Sequence, residues 1–283
     1  MPGSPSAMPE GGMPPGQPSA GQSAGSLPEP VGAEALGRVA GVLAARRPAL
    51  FLDYDGTLTP IMPRPDLAVL DPAMRERIRR LAALCPVAVI SGRDLADVRA
   101  MVGIEGLTYA GSHGFDIEAP SGPRQFGVEY RPALERAAAR LGQSLAGIQG
   151  ALVEPKRFAV AVHTRAVAPA DKAAVEAAVA DAAAAEPGLR RTGGKEIHEL
   201  RPDLPWDKGR AVLSLIEGER LDDRFPVYIG DDLTDEDAFA ALEGRGLGIV
   251  VGDHGGPSRA AYRLPDIASV GLLLEALARH LEG

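Results

Sequence analysis

Ala49-Leu50-Phe51-Leu52-Asp53-Tyr54-Asp55-Gly56-Thr57-Leu58 decides how this chain is read. Four apolar residues in a row, between Pro48 and an acid, have the composition of a strand buried on both faces of a sheet. The run stops on two carboxylates one residue apart, followed by Gly56 and Thr57. Two acids at the end of a buried strand repel each other and call for a cation or a shared proton. Gly56 lets the backbone turn its N–H groups toward an anion, and Thr57 adds a hydroxyl donor.

The same shape recurs outward in both directions. The apolar run 87–90 ends in Ser91-Gly92-Arg93, and 107–110 ends in Gly111-Ser112-His113-Gly114. The run 227–229 ends in Gly230-Asp231-Asp232, and 247–251 ends in Gly252-Asp253. Helical stretches lie between them. One spans 33–46, one opens at Asp71-Pro72, and Asp94 is placed to cap a third. Strands alternating with helices imply right-handed crossovers and a parallel sheet. In such a sheet the ligand crevice lies beyond the carboxyl ends of the strands. Asp53, Asp55, Ser91 and Asp231 are therefore expected to converge, although Asp53 and Asp231 stand 178 positions apart.

Between 124 and 201 the texture changes. Residues 132–148 read as a helix, and 151–154 and 157–163 as strands, the second with Phe158, Val160 and Val162 on one face. An Ala-rich helix follows over 170–185, then strands over 189–192 and 196–200. This α-β-β-α-β-β pattern predicts a small α+β lobe inserted into the parallel domain, where it can act as a lid. The expected division is a disordered leader over 1–32, an α/β core over 33–123 and 202–283, and an inserted cap over 124–201.

The leader is a compositional reading. Residues 1–30 hold eight Pro, six Gly and five Ser, and no Lys, Arg or aromatic residue. Such a segment buries too little apolar surface to offset its ordering entropy, and it lacks the basic start and apolar core of a signal peptide. The net charge of −8 is a poor match for nucleic acid or an anionic membrane. No stretch approaches the roughly 18 apolar residues of a membrane span. One cysteine, Cys85, excludes an internal disulfide and a thiolate metal cluster; its apolar neighbours place it in the core. A monomer in the cytoplasm is expected.

Hard carboxylate ligands without clustered His or Cys favour Mg²⁺ over zinc. Lys208, at a helix start after Asp207, supplies a fixed positive charge. Carboxylates, Mg²⁺, hydroxyl donors and one lysine together describe phosphoryl-transfer chemistry.

Asp53-Tyr54-Asp55-Gly56-Thr57-Leu58 resembles the DxDGT signature of the haloacid-dehalogenase phosphatases. Ser91, Lys208 and Gly230-Asp231-Asp232-Leu233-Thr234-Asp235 follow in the order of that superfamily's remaining motifs. Within it, the chain is most similar to the trehalose-6-phosphate phosphatases. Ser91-Gly92-Arg93, Gly111-Ser112-His113-Gly114, Glu154-Pro155-Lys156, His163-Thr164-Arg165, Glu199-Leu200-Arg201-Pro202 and Lys208-Gly209 carry that similarity, which spans about 35–275. Thr164 departs from it, standing where that family shows an aromatic residue.

The resemblance implies a haloacid-dehalogenase-like core with an inserted cap, and Mg²⁺-dependent hydrolysis of trehalose 6-phosphate through an aspartyl-phosphate. Asp53 would be the nucleophile and Asp55 the acid–base. Mg²⁺ would be held by the Asp53 carboxylate, the Asp55 backbone carbonyl and Asp231, with Asp235 or Asp232 holding its waters. Ser91 and Lys208 would stabilise the phosphoryl oxygens, with Thr57 beside them. Arg93, His113, Glu154, Lys156, Lys195 and Glu199 are candidates for the sugar hydroxyls, where charged groups make the stronger hydrogen bonds.

Plainer readings stand beside these. Glu236 and Asp237 suit a first helical turn, with Thr234 and Asp237 as a capping box. Glu154 and Lys156 could form a solvated pair, His113 and His163 could be structural, and Trp206 reads as packing. A capped phosphatase of sucrose phosphate or mannosyl-3-phosphoglycerate type shares every catalytic residue. A phospho-accepting signalling domain uses a similar acid cluster, but it lacks both Asp55 and the inserted lobe.

Overall fold

The computed structural model describes residues 26–62, 64–194 and 196–283, so Lys195 and the first 25 residues of the leader lie outside the described residues. Strands β1 (Pro48–Asp53), β2 (Val87–Ile90), β3 (Thr108–Gly111), β4 (Asp116–Ala119) and β5 (Gly122–Gln125) open the main sheet. The chain then leaves for β6 (Leu152–Pro155), β7 (Val160–His163), β8 (Leu189–Gly194) and β9 (Ile197–Pro202). It returns with β10 (Phe225–Gly230), β11 (Leu247–Val251) and β12 (Tyr262–Leu264). The helices are α1 (Ala33–Ala45), α2 (Pro72–Ala82), α3 (Leu95–Val102), α4 (Arg131–Leu145), α5 (Lys172–Ala185), α6 (Lys208–Gly218), α7 (Glu236–Ala241) and α8 (Ile267–Glu282).

The main sheet has the order β12-β11-β10-β1-β2-β3-β4-β5. From β12 to β3 all neighbours are parallel, while β4 and β5 add an antiparallel hairpin at one edge. The period of two in β1 sends Leu50 and Leu52 into a core shared with α1, α2, α3 and α8, and Ala49 and Phe51 into a second core under α6 and α7. Burial on both faces explains why these strands read as unbroken apolar runs. The sequence direction reverses between β1 and β10, which pair with Leu52 opposite Ile229. That reversal places Asp53 beside the residues that follow β10.

The second sheet, β6-β7-β9-β8, is antiparallel throughout. Val160, Val162 and Leu200 pack with α4 and α5 in a third core. Glu199 and Arg201 therefore point from the face opposite Leu200. The architecture is a parallel-sheet α/β core with an inserted α+β cap, as the sequence motifs imply.

Several local expectations need correcting. The β4–β5 hairpin and β12 carry too little apolar pattern to be read from sequence. Phe158 does not share a face with Val160 and Val162 in a strand: β7 starts at Val160, and Phe158 stacks on Phe115 of the core with ring centroids 5.8 Å apart. The capping box is formed by Asp232 with Asp235, not by Thr234 with Asp237. Asp71 caps α2 as expected, accepting from Ala73 and Met74, but the Asp94 side chain does not cap α3. At the end assigned to the leader, Leu27 packs on the second core and the Val31 N–H donates to the Arg263 carbonyl at 2.8 Å. Apolar side chains and a backbone bond hold these residues despite their Pro- and Gly-rich surroundings. Among the described residues no helix is long and apolar enough to cross a membrane. Cys85 is buried, and burial pushes its thiol up to about 12.

Candidate active site

The site begins where β1 ends. Beyond Asp53 the backbone folds back tightly, with the N–H groups of Leu58 and Thr59 on the Tyr54 carbonyl and that of Gly56 on the Thr59 carbonyl. The buried Tyr54 hydroxyl anchors the loop by donating to the Ala68 carbonyl at 2.7 Å. Gly56 holds φ +85°, and a Cβ there would lie 2.0 Å from Asp231 Oδ2. Glycine is thus required both for the turn and for the approach of the Asp231 carboxylate.

Asp235 organises the other side. Its Oδ2 accepts the N–H groups of Asp231 and Asp232, each at 2.9 Å, and fixes the loop after β10. Its Oδ1 accepts from the Tyr228 hydroxyl and from Lys208 Nζ, both at 2.7 Å. Lys208 Nζ also donates to Asp53 Oδ1 at 2.7 Å. Asp207 caps α6 by accepting from the Arg210 N–H at 2.8 Å, which sets the helix start that carries Lys208. Asp53, Lys208 and Asp235 are all buried. Burial works against the charge on Lys208, but the Asp235 and Asp53 carboxylates overcome it and hold its proton above the ordinary lysine range.

Asp53, Asp231 and Asp235 each place one carboxylate oxygen within 4.8 Å of the others. One ammonium cannot neutralise three carboxylates. Burial first, offset by Lys208 and reinforced by Asp235 and Asp231, leaves Asp53 well above the ordinary carboxylate range. Asp231 is pushed up to about 6 by burial and then by Asp235. Carboxylates that resist ionisation beside one another form a donor set that a hard divalent cation would relieve. The Asp55 carboxylate stands outside this group, so its expected metal contact would come from the backbone carbonyl. Asp232 is exposed, with its Oδ1 bound to the Leu233 N–H.

On the β2 side, Arg93 grips Asp55 with both arms, Nε to Oδ2 and Nη2 to Oδ1 at 2.6 Å each. Ser91 Oγ accepts the Arg93 N–H at 3.1 Å, which leaves its own proton to donate. Thr57 spends its hydroxyl on Asp231 Oδ1 at 3.1 Å.

The cap's open face lies against the core at His113. Arg201 Nη2 meets His113 Nε2 at 2.6 Å and also bonds Glu199, whose other oxygen receives Lys156 Nζ at 3.3 Å. Burial, then the charges of Arg201, Lys208 and Lys156, hold His113 well below the ordinary histidine range. A neutral ring that accepts at Nε2 carries its proton on Nδ1. Glu154 pairs with His163 at 2.7 Å, and this bond holds its carboxyl below the ordinary range. Glu154 and Lys156 thus take separate partners instead of pairing with each other. Thr164 is buried, its hydroxyl 3.4 Å from Glu196 Oε2.

The structure brings Asp53, Lys208, Asp231 and Asp235 into one cluster, and Asp55 and Arg93 into a pair beside it. Lys156 and Glu199 pair within the cap, and Arg201 links Glu199 to His113 across the seam between cap and core. Two participants escaped the sequence reading. Tyr228 sits in a wholly buried strand, where a hydroxyl must find a partner; that was its available signal. Arg201 lies within Glu199-Leu200-Arg201-Pro202, but only the docking of the cap reveals its contact with His113.

Residues 51–267 match the family profile described as trehalose-phosphatase. A Mycobacterium tuberculosis protein named an uncharacterised glycosyl hydrolase is 50% identical over 254 residues, covering 85% of this chain and 19% of that protein. A trehalose-phosphate phosphatase of the same organism is 45% identical over 257 residues, covering 88% of this chain and 65% of the relative. The chain therefore spans between a fifth and two thirds of these relatives. The solved C-terminal domain of Candida albicans trehalose-6-phosphate phosphatase superposes with a TM-score of 0.71 at 22% identity, covering 91% of this chain and 99% of that one.

Proposed function

The chain belongs to the trehalose-phosphatase family, and from that premise we propose that it hydrolyses trehalose 6-phosphate to trehalose and inorganic phosphate. The observation that carries the reading is the buried Asp53–Lys208–Asp235 chain beside Asp231, with both bonds from Lys208 at 2.7 Å. In this reading 33–123 and 202–283 form the catalytic unit and 124–201 the cap, except that β5 carries the core sheet on to Gln125 and β9 carries the cap sheet on to Pro202. The substrate is a small sugar phosphate taken up by a monomer in the cytoplasm.

Lys208 holds Asp53 Oδ1 and orients the carboxylate for in-line attack on phosphorus. The P–O bond to the sugar breaks as the bond to Asp53 forms, giving an aspartyl-phosphate and a sugar alkoxide that takes its proton from Asp55. Asp55 then removes a proton from the water that attacks the same phosphorus and regenerates Asp53. For Asp55 to carry a proton its grip on Arg93 must loosen, and the arriving phosphate is the natural competitor for that guanidinium. Ser91 and Lys208 donate to the equatorial oxygens, where charge resides in the transition state. Mg²⁺ fits the donor set of Asp53, Asp231 and the Asp55 carbonyl, with Asp235 behind them, and would supply the positive charge that lets a phosphate approach these acids. His113 Nδ1–H, Lys156, Glu154 and Glu199 meet the sugar hydroxyls. Lys195 is kept as a candidate on the resemblance alone.

Phosphate release from a panel of sugar phosphates with Mg²⁺ tests the proposal. Trehalose 6-phosphate should be turned over at least tenfold more efficiently than sucrose 6-phosphate, mannosyl-3-phosphoglycerate or glucose 6-phosphate. Preference for another member of the panel would overturn the substrate assignment while leaving the chemistry intact.

A further inference from the structure

We propose that Arg157 is the latch that closes the cap, seating the β6–β7 turn on the core so that its neighbour Lys156 is held over the cleft. Arg157 is thereby a positioning residue that acts through Lys156 and touches no reacting atom. Its kinetic consequence rests on the functional reading above; its structural consequence does not.

The turn between β6 and β7 gives each of three consecutive residues a different task. Lys156 reaches Glu199 within the cap. Arg157 crosses to the core twice: its guanidinium Nη1 lies 3.0 Å from Asp116 Oδ2, and its backbone N–H donates to Asp94 Oδ2 at 3.1 Å. Phe158, fully buried, stacks on Phe115 beside Trp206, which in turn stacks on Phe126 at 3.8 Å.

The receiving surface departs from local rules at the two carboxylates the turn meets. Asp94 occupies the N-cap position of α3, where an acid ordinarily bonds the first helical N–H groups. Its carboxylate does not do so, and joins Ser112 Oγ at 2.8 Å to the Arg157 N–H instead. Asp116 is a carboxylate with 2% of its side chain exposed. Gln125 Nε2 satisfies Oδ1 at 2.9 Å, while Oδ2 has no hydrogen bond among the described residues and is met by the Arg157 charge. A buried carboxylate without a cation is costly. The Arg157 side chain is 44% exposed, so it covers Asp116 from the solvent side. Closing the cap both buries Asp116 and delivers its counter-charge. Opening it would return both groups to water. Asp94 and Asp116 lie outside the carboxylate cluster at the end of β1.

The test uses the full chain as wild type, Arg157→Ala and Arg157→Lys, with spin labels on Ala177→Cys in α5 and Ala268→Cys in α8, both exposed positions. Buried Cys85 stays in place. The wild type should give one narrow distance distribution, Arg157→Ala a second, longer population, and Arg157→Lys mostly the narrow one. Kinetically, Arg157→Ala should raise KM for trehalose 6-phosphate about tenfold with kcat changed less than about threefold, as expected for losing a partly exposed charge contact. Turnover of p-nitrophenyl phosphate, which has no sugar for Lys156 to hold, should stay within about twofold. Unchanged distances in Arg157→Ala, or an equal loss on both substrates, would overturn the latch. A wild type inactive on trehalose 6-phosphate would count against the proposed function, and the label distances would still decide the latch.

Discussion

Asp235 shows how much one side chain can organise. Four donors converge on its two oxygens: two backbone N–H groups, the Tyr228 hydroxyl and Lys208. It thus sets the loop that carries Asp231 and, through Lys208, the orientation of Asp53. In sequence it could equally be a first-turn acid, and it does both, since it completes the capping box with Asp232. Removing one donor tests the arrangement: Tyr228→Phe should lower stability by about 1.5–3 kcal/mol in urea unfolding, the scale of a hydrogen bond to a charged acceptor. Asp55 belongs to the same scale. Asp55→Asn keeps the size of the side chain but removes its acid–base chemistry, so kcat for phosphate release should fall by about 10²–10⁴-fold with the circular dichroism spectrum unchanged.

At the level of elements, function sits at strand ends. The pairing of β1 with β10 brings Asp53 and Asp231 together, and Gly56 permits the final approach. Gly56→Ala would force a Cβ into the Asp231 carboxylate at a backbone angle that alanine resists. Titration calorimetry should show Mg²⁺ affinity reduced at least about tenfold, more than 1.4 kcal/mol; wild-type affinity would refute the close approach. This part of the site was legible because each strand is apolar on both faces and stops abruptly on Gly with Asp or Ser. The β4–β5 hairpin was not legible, because Asp116–Gln125 is polar on one side and pairs only as an edge. The turn at 156–158 misled for a related reason: Phe158 alternates correctly with Val160 and Val162, yet it is buried against Phe115 of the other unit. A period of two records that a residue is buried, not which body buries it.

The molecule as a whole is acidic, and in the proposed reading a divalent cation with Lys208 and Arg93 would offset the four carboxylates Asp53, Asp55, Asp231 and Asp235, so that an anionic substrate can approach. This makes stability depend on metal and pH together. Asp231 is raised from 3.8 to about 6, so between those values the metal-free native state binds more protons than the unfolded chain. Stability from this group therefore falls as pH rises through that window and stays lost above it. Mg²⁺ competes with that proton, so its stabilising effect should be full near pH 8 and much reduced near pH 5. At a hundredfold excess over Kd it adds about 2.7 kcal/mol, readable as a rise in Tm. An equal rise at both values would contradict the placement of the cation at Asp231. In the proposed reaction Asp53 takes the phosphoryl group from trehalose 6-phosphate. Acid quenching during turnover with Mg²⁺, followed by mass spectrometry of the peptide containing residues 48–58, should find a phosphoryl group on Asp53. A folded Asp53→Asn protein should show neither adduct nor phosphate release; sustained release of phosphate by that variant would rule Asp53 out as the nucleophile.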